Sequence, residues 1–308
     1  MPSLIPFRLK PAFVARIWGR TQLAPWYTEQ PTEKIGEAWL TGEQCVVEGG
    51  PLAGKTLRDV ATEFPDALLG ESKALGEFPL LLKILFPDDK LSVQVHPNDE
   101  QAAKRKSQGK TECWYVLNAE PGAAVALGFK DPKVPVEAVR EAIEKGHLED
   151  LLHFEPVSVG DLVYVDANTV HAIWPGATLL EIQQTSDITY RLYDYGRPRE
   201  LHLEEGLAVM NSQTSAGKRL PVKKDGFTRL VEERYFSVDR MELPAGSTLD
   251  VTLAGKPQCL VLLSGEASIA TGNDDLALAK AEAVVVPAAT ERAVLRAGSD
   301  CVVVRSTV

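Results

Sequence analysis

Short apolar runs interrupted by Gly, Pro, Asn and Asp recur along the chain, and this punctuation limits the fold more than any other feature. The runs include FPLLLKILF (78–86), LSVQVHP (91–97), CWYVL (113–117), DLVYVDA (161–167), TLLEIQQ (178–184) and ITYRLYDY (188–195). Each has the length of a strand, and Val, Ile, Leu and Tyr between turn residues read as antiparallel β structure. Helical periodicity is confined to residues 56–69, 134–152 and 203–211, the second with Val136, Val139 and Ile143 on one apolar stripe. The expected class is mainly β with short helical insertions.

Residues 212–226, SQTSAGKRLPVKKDG, are polar and separate two strand-rich halves. The halves resemble one another. CWYVLNAEPGAAVALG followed by VGDLVYVDANTVHAI in the first is matched by QCLVLLSGEASIATG followed by KAEAVVVPAATERAV in the second. Two copies of one barrel unit account for the 308 residues, with domains expected at 1–211 and 227–308.

Charge excludes several partners. With 33 Lys+Arg against 43 Asp+Glu, the net charge is −10, a field that repels phosphate backbones and anionic lipid surfaces, so neither nucleic acid nor membrane is expected as a partner. The four cysteines are far apart and form no CxxC pair, which reads as buried thiols in a reducing compartment. The N-terminus has no apolar signal segment and no stretch approaches a membrane span, so a cytoplasmic location is expected.

The chemistry is concentrated in the first half. Strand residues alternate faces, so Ser92, Gln94 and His96 point one way and Val93 and Val95 the other. Glu112 follows in KTECWYVL, and His171 follows a turn in which Asn168 is the residue suited to a left-handed backbone. Singly, each is an ordinary surface or core residue. Together, Gln-x-His, a Glu sixteen residues later and a His after a tight turn resemble the metal layout of cupin barrels. Two imidazoles and a carboxylate suffice for Zn²⁺, and equally for Fe(II) oxygenases, so the ligands alone do not choose the reaction. The turn before His171 keeps the cupin spacing from Gly160 but has Asp166 and Asn168 in place of Pro and Gly. In the second half Arg292 stands where the ligand His would be, and that barrel is expected to be degenerate and metal-free.

FPLLLKILFPDDKLSVQVHPND, GKTECWYVL, GDLVYVDANTVHA and QQTSDITYRLYDYGR, with the earlier IWG (17–19) and GEAW (36–39), resemble the type I phosphomannose isomerases in their short bacterial form, over residues 5–210. The resemblance implies two cupin-type jelly-roll β-barrels. It also implies a zinc-dependent aldose-ketose isomerase that interconverts mannose 6-phosphate and fructose 6-phosphate through a cis-enediol. The family's ligands fall on Gln94, His96, Glu112 and His171, for one Zn²⁺ per chain. Its catalytic residues fall on Arg191, Lys110 and Asp187, and its substrate-pocket lysine and serine on Lys83 and Ser92. Trp114 replaces a second lysine of some longer members.

These residue types suit the task. An arginine binds developing oxyanions without losing its charge. Lys110, on the same strand face as Glu112, would move protons if its pKa were depressed. Lys83 interrupts an apolar strand and needs a partner, either a phosphate or an acidic neighbour. The proton-transfer base stays open among Lys110, a water on the metal, Glu200 and His202, and Asp187 is an alternative aid to ring opening. The competing functions are a cupin Fe(II) dioxygenase and a non-catalytic sugar-binding cupin. The expected partner is a small phosphosugar, and the expected assembly a monomer or small homo-oligomer.

Overall fold

In the computed structural model, which describes residues 4–272 and 274–308, the hydrogen-bonded strand pairs of the sheets are all antiparallel. The first part of the chain forms β1 (Phe7–Lys10), β2 (Ala12–Arg20), β3 (Ile35–Trp39), β4 (Val46–Glu48), β5 (Leu80–Leu85), β6 (Val93–Val95) and β7 (Glu112–Ala119). There follow β8 (Ala124–Phe129), β9 (Leu152–Pro156), β10 (Leu162–Val165), β11 (His171–Ile173), β12 (Ala177–Gln184) and β13 (Tyr190–Tyr193). The expectation of a mainly β chain holds.

Two sheets enclose the first barrel. One runs β10-β7-β12-β5-β3-β2, extended past β10 by Gly217–Lys218, and the other runs β13-β6-β11-β8-β9. Trp18, Leu85, Trp114, Val116 and Leu179 of the first sheet pack with Val125, Leu127 and Ile173 of the second in one buried cluster. β5 and β12 are buried along their whole length. Burial on both faces explains why β5 reads as an apolar run broken only by Lys83, whereas β12 buries Thr178, Glu181, Gln183 and Gln184 as well.

The second barrel has a sheet of Val222–Lys223, Thr228–Glu232, Ser237–Leu243, Cys301–Thr307, Gln258–Ser264 and Ala283–Val286, continued by β1 and β4. Phe7 lies opposite Val285 and Arg8 opposite both Val284 and Glu48. Two strands from the start of the chain thus complete the sheet of the second half. A large core of Leu9, Leu82, Cys113, Phe236 and Cys259, among others, joins both halves. The division at 1–211 and 227–308 stands as a proposal for the two repeats, with β1 and β4 built into the later one.

The helical insertions are shorter than the periodicity predicts. The first breaks at Pro65 into α1 (Leu57–Glu63) and α2 (Pro65–Leu69), because proline lacks the N–H that would continue the ladder. A helix the sequence reading did not anticipate, α3 (Asp99–Ala103), starts at a capping box in which Asn98 and Gln101 exchange side-chain bonds with each other's backbone N–H. In α4 (Val136–Glu144) the buried stripe is Val139, Ala142 and Ile143, whereas Val136 is 40% exposed. The last helix is α5 (Leu203–Val209). All four cysteines are buried and unpaired, and no helix among the described residues is long and apolar enough to cross a membrane.

Candidate metal centre and active site

His96, Glu112 and His171 are buried and present ligand atoms that all lie within 4.8 Å of one another. Glu112 opens β7, His171 opens β11, and His96 directly follows β6. His96 Nε2 lies 3.5 Å from Glu112 Oε2, and His171 Nε2 lies 3.4 Å from Glu112 Oε1. Each imidazole is oriented from behind, with His96 Nδ1 2.8 Å from the Ile188 carbonyl and His171 Nδ1 2.9 Å from the Thr169 carbonyl. A carbonyl only accepts, so each Nδ1 carries the proton and each Nε2 turns its lone pair toward Glu112.

The turn that delivers His171 is tied to the other ligand strand. Asn168 has φ +73°, its N–H donates to the His96 carbonyl at 2.8 Å, and its amide donates to Gln101 Oε1 at 2.7 Å. The Asn that replaces the usual glycine therefore keeps the left-handed turn and adds a side-chain anchor.

Both Glu112 oxygens are inaccessible and lack a well-directed hydrogen bond. Lys110 Nζ supplies charge 2.9 Å from Oε2 and also donates to His96 Nε2 at 3.1 Å. Two neutral imidazole nitrogens and an orphaned carboxylate fit a divalent cation of the zinc type. Gln94 completes the cluster, its amide nitrogen 3.3 Å from His171 Nε2, and a half-turn of that amide brings its oxygen to the same place.

Gln94 and Lys110 also line a cavity of about 490 Å³ between the two sheets. One wall carries Lys83 and Glu181, the middle of a row across four strands in which Lys83 lies opposite Trp39 on one side and Glu181 on the other, and Glu181 lies opposite Trp114. Facing it, Gln94 and Arg191 border the cavity from β6 and β13, and His171 lies opposite Gln94 on β11. Ser92, Asp187 and Thr189 also border the cavity. The expected metal ligands, the catalytic residues Arg191, Lys110 and Asp187 and the substrate-pocket residues Lys83 and Ser92 are thus each either in the buried trio or on this cavity's wall. A separate cavity of about 390 Å³ between the β1 segment and the second barrel has walls such as Phe7, Phe64 and Ile269. None of the trio borders it.

The electrostatics correct one expectation and resolve another. Lys110 is not depressed: burial pushes its ammonium down, but Glu112 and Glu181 together push it up further, above the ordinary lysine range. Lys83 has the acidic neighbours, with Glu181 and Asp187 each 3.6 Å from Nζ and the Trp39 ring 4.7 Å away. Burial raises the Glu112 carboxyl, yet the Lys110 ammonium outweighs it and keeps the group low, while burial and the charge of Glu112 raise Glu181. Burial lowers both imidazoles, with the Lys110 charge adding to the effect on His96, so neutral ligand nitrogens are favoured.

Arg191 is not spent on a carboxylate. Its Nη1 donates to the Glu200 carbonyl at 2.8 Å, and Asp194 is taken instead by Arg197 and Arg199. Glu200 and His202 do not border the cavity; His202 accepts the Arg191 N–H at 3.3 Å. The sequence reading missed Arg16, Glu37, Glu181 and Arg199, all on the wall. Glu181 carries a legible signal, a single carboxylate inside the apolar run TLLEIQQ. Arg16 adjoins the IWG motif and Glu37 sits in GEAW, which the reading quoted without a role.

Comparison with known proteins agrees with this geometry. The model of the phosphomannose isomerase type I catalytic domain matches residues 6–130. Mannose-6-phosphate isomerase ManA of Bacillus subtilis is 36% identical over 97% of this chain and 98% of its own length. Mannose-6-phosphate isomerase of Streptococcus mutans is 35% identical over 92% of each chain. The crystal structure of the mannose 6-phosphate isomerase from Bacillus subtilis superposes with a TM-score of 0.86 at 28% identity, covering 99% of this chain and 100% of that one. A substitution variant of phosphomannose isomerase from Salmonella typhimurium, 17% identical, shares the fold with a TM-score of 0.81 over 98% of this chain and 99% of that one. With more than a third of its residues shared with such a relative over almost the whole chain, the protein belongs to the type I phosphomannose isomerase family.

Proposed function

We propose that the chain interconverts mannose 6-phosphate and fructose 6-phosphate, with one Zn²⁺ held by His96, Glu112 and His171 and by Gln94 through its amide oxygen. The observation that carries this reading is the buried His/Glu/His trio directly behind a cavity wall that also holds Lys110, Lys83 and Arg191. When bound, the metal supplies Lewis-acid polarisation of the sugar oxygens at C1 and C2.

The isomerisation moves a proton between C1 and C2 and leaves negative charge on the adjacent oxygens. Lys110, held as an ammonium, donates to one of those oxygens, and the Arg191 guanidinium offers its unspent N–H groups to the other. Glu181 is the cavity carboxylate whose raised pKa suits it to accept and return the carbon-bound proton, and it replaces Glu200 and His202 in that role. Asp187, 61% exposed, assists ring opening in this reading. Lys83 and Ser92 contact the sugar. The four buried thiols support a reducing, cytoplasmic location.

A coupled assay for fructose 6-phosphate formed from mannose 6-phosphate tests the reading. Turnover by zinc-loaded protein is expected. Fully loaded protein without turnover would overturn the reading and return attention to iron loading and oxygen uptake. An oxygenase has no evident use for five cavity cations, Arg16, Lys83, Lys110, Arg191 and Arg199, and a non-catalytic sugar-binding module has none for a metal trio, so neither alternative is favoured.

A further inference from the structure

The segment between the two barrels is bound to the turn that delivers His171. Gly217–Lys218 pairs with β10, Gly217 opposite Tyr164 and Lys218 opposite Val163, and the Arg219 N–H donates to the Leu162 carbonyl at 2.9 Å. At the other end the Asn211 N–H donates to the Asn168 carbonyl at 2.8 Å, and Asn211 forms a parallel bridge with Thr169. Residues 211–219 are therefore held at both ends, against β10 and against the turn that follows it.

The middle of this stretch reaches a carboxylate in the turn. Asp166 Oδ1 accepts the Thr169 hydroxyl at 2.7 Å and the Thr214 hydroxyl at 2.6 Å, and Oδ2 accepts the Ser215 N–H at 3.3 Å. The two hydroxyls also touch one another, and Thr214 Oγ1 accepts the Ala216 N–H at 2.9 Å. Thr169 is 1% exposed, and its carbonyl is the acceptor that orients His171 Nδ1. Gly128, whose N–H donates to the Val170 carbonyl at 2.7 Å, leaves room for Thr214, since a Cβ there would meet Thr214 Cγ2 at 3.0 Å.

Resting on the metal reading above, we propose that Asp166 and Thr214 are positioning residues for His171, and that through them the inter-barrel segment clamps the turn that carries this ligand. A proline at the place of Asp166 would restrict the turn through its own ring. Here a carboxylate gathers three donors instead, two of them from the segment that follows the first barrel. A ligand imidazole whose backing carbonyl can shift loses its orientation toward the metal, and direct partners of that kind are worth about 10- to 100-fold in metal affinity. Asp166 and Thr214 act one step further out, through the Thr169 peptide, so an effect of about five- to tenfold is expected. The segment leading into the second barrel thus bears on the metal centre of the first.

The test uses the full chain in two states. In metal-free protein, amide hydrogen exchange of the peptide over residues 166–171 should rise roughly fivefold in Thr214→Val, while peptides of β7 keep wild-type exchange. In zinc-loaded protein, the rate at which excess chelator removes zinc should rise about five- to tenfold in both Asp166→Ala and Thr214→Val. Thr214→Ser keeps the hydroxyl and Asp166→Asn keeps an acceptor oxygen, so each should return toward wild type in both measurements. Lys218→Ala breaks the 2.8 Å ion pair of the same segment with Asp161, away from the turn, and should move neither. Thr214→Val keeps the side-chain volume and decides the matter even where Asp166→Ala fails to fold. Wild-type exchange and zinc loss in Thr214→Val, or equal acceleration in Lys218→Ala, overturns the clamp. Wild-type protein that retains no zinc overturns the metal reading instead, and the exchange measurement still decides on the clamp.

Discussion

The phenol of Tyr235 donates a 2.6 Å hydrogen bond to Asp99 Oδ2, linking the second half of the chain to the segment that carries Lys110. Asp99 Oδ1 accepts the Gly109 N–H at 2.9 Å and the Gln184 amide at 3.1 Å, and Gln184 Oε1 accepts the Thr111 N–H at 2.9 Å. The residues on both sides of Lys110 are thus pinned by a network anchored outside the first barrel. Tyr235→Phe should cost roughly 1 kcal/mol of stability, since the bond is to a charged but partly exposed group, and should lower kcat more than it changes KM. Steady-state kinetics beside urea unfolding checks this; unchanged kcat would remove Tyr235 from any positioning role.

The same bond has a defined pH window. Burial raises Asp99, but the Tyr235, Gly109 and Gln184 bonds outweigh it and hold the carboxyl below its usual range, so its contribution is present above about pH 4 and lost as pH falls through the depressed value. Tyr235 is pushed up to about 12, by burial first and then by Asp99, so its contribution is present below about pH 10 and lost as pH rises through that value. The stability difference between wild type and Tyr235→Phe should be flat from about pH 5 to pH 9 and narrow on both sides. A difference that keeps growing into acid would contradict the assignment.

Lys83 is a buried charge matched by buried charge. Lys83→Met leaves Glu181 without its cross-strand cation and should destabilise by about 3 kcal/mol, whereas Lys83→Met with Glu181→Leu should recover most of that loss. Urea denaturation of the single variants and the double variant measures the coupling. Additive losses would show that the pair does not interact.

Asn168 should tolerate glycine better than alanine. Both lose the Gln101 bond, worth about 1 kcal/mol, but only alanine adds roughly 1 kcal/mol for the left-handed backbone. Equal losses in thermal unfolding would contradict the role given to its positive φ.

Much of the metal centre was legible because strand alternation is a local rule. Ser92, Gln94 and His96 fall on one face of a single short segment, and Glu112 and His171 begin strands whose apolar residues are plain in the sequence. Arg16, Glu37 and Arg199 were not, because a charged residue on a strand or loop looks the same whether it faces solvent or a cavity. Their placement depends on the pairings of Arg16 with Glu37 and Arg199 with Asp194, 21 and 5 residues apart, and on the space that Gly36 leaves beside Arg16, which no periodicity marks. The direction of the Lys110 shift was misjudged for the same reason, since Glu181, which helps to raise it, lies about seventy residues later. The addition of β1 and β4 to the second sheet is a contact of long sequence separation, and the apolar pattern fixes strands without fixing their neighbours.

The central claim is that the His96, Glu112 and His171 trio binds a divalent cation on which isomerisation depends. Chelated protein should be titrated with zinc while metal bound per chain and fructose 6-phosphate formation are followed together. Activity should rise from near zero in proportion to zinc bound and stop at one ion per chain, and Glu112→Gln should lose both binding and turnover. Full activity in the chelated protein, or zinc binding that Glu112→Gln leaves intact, would contradict the account.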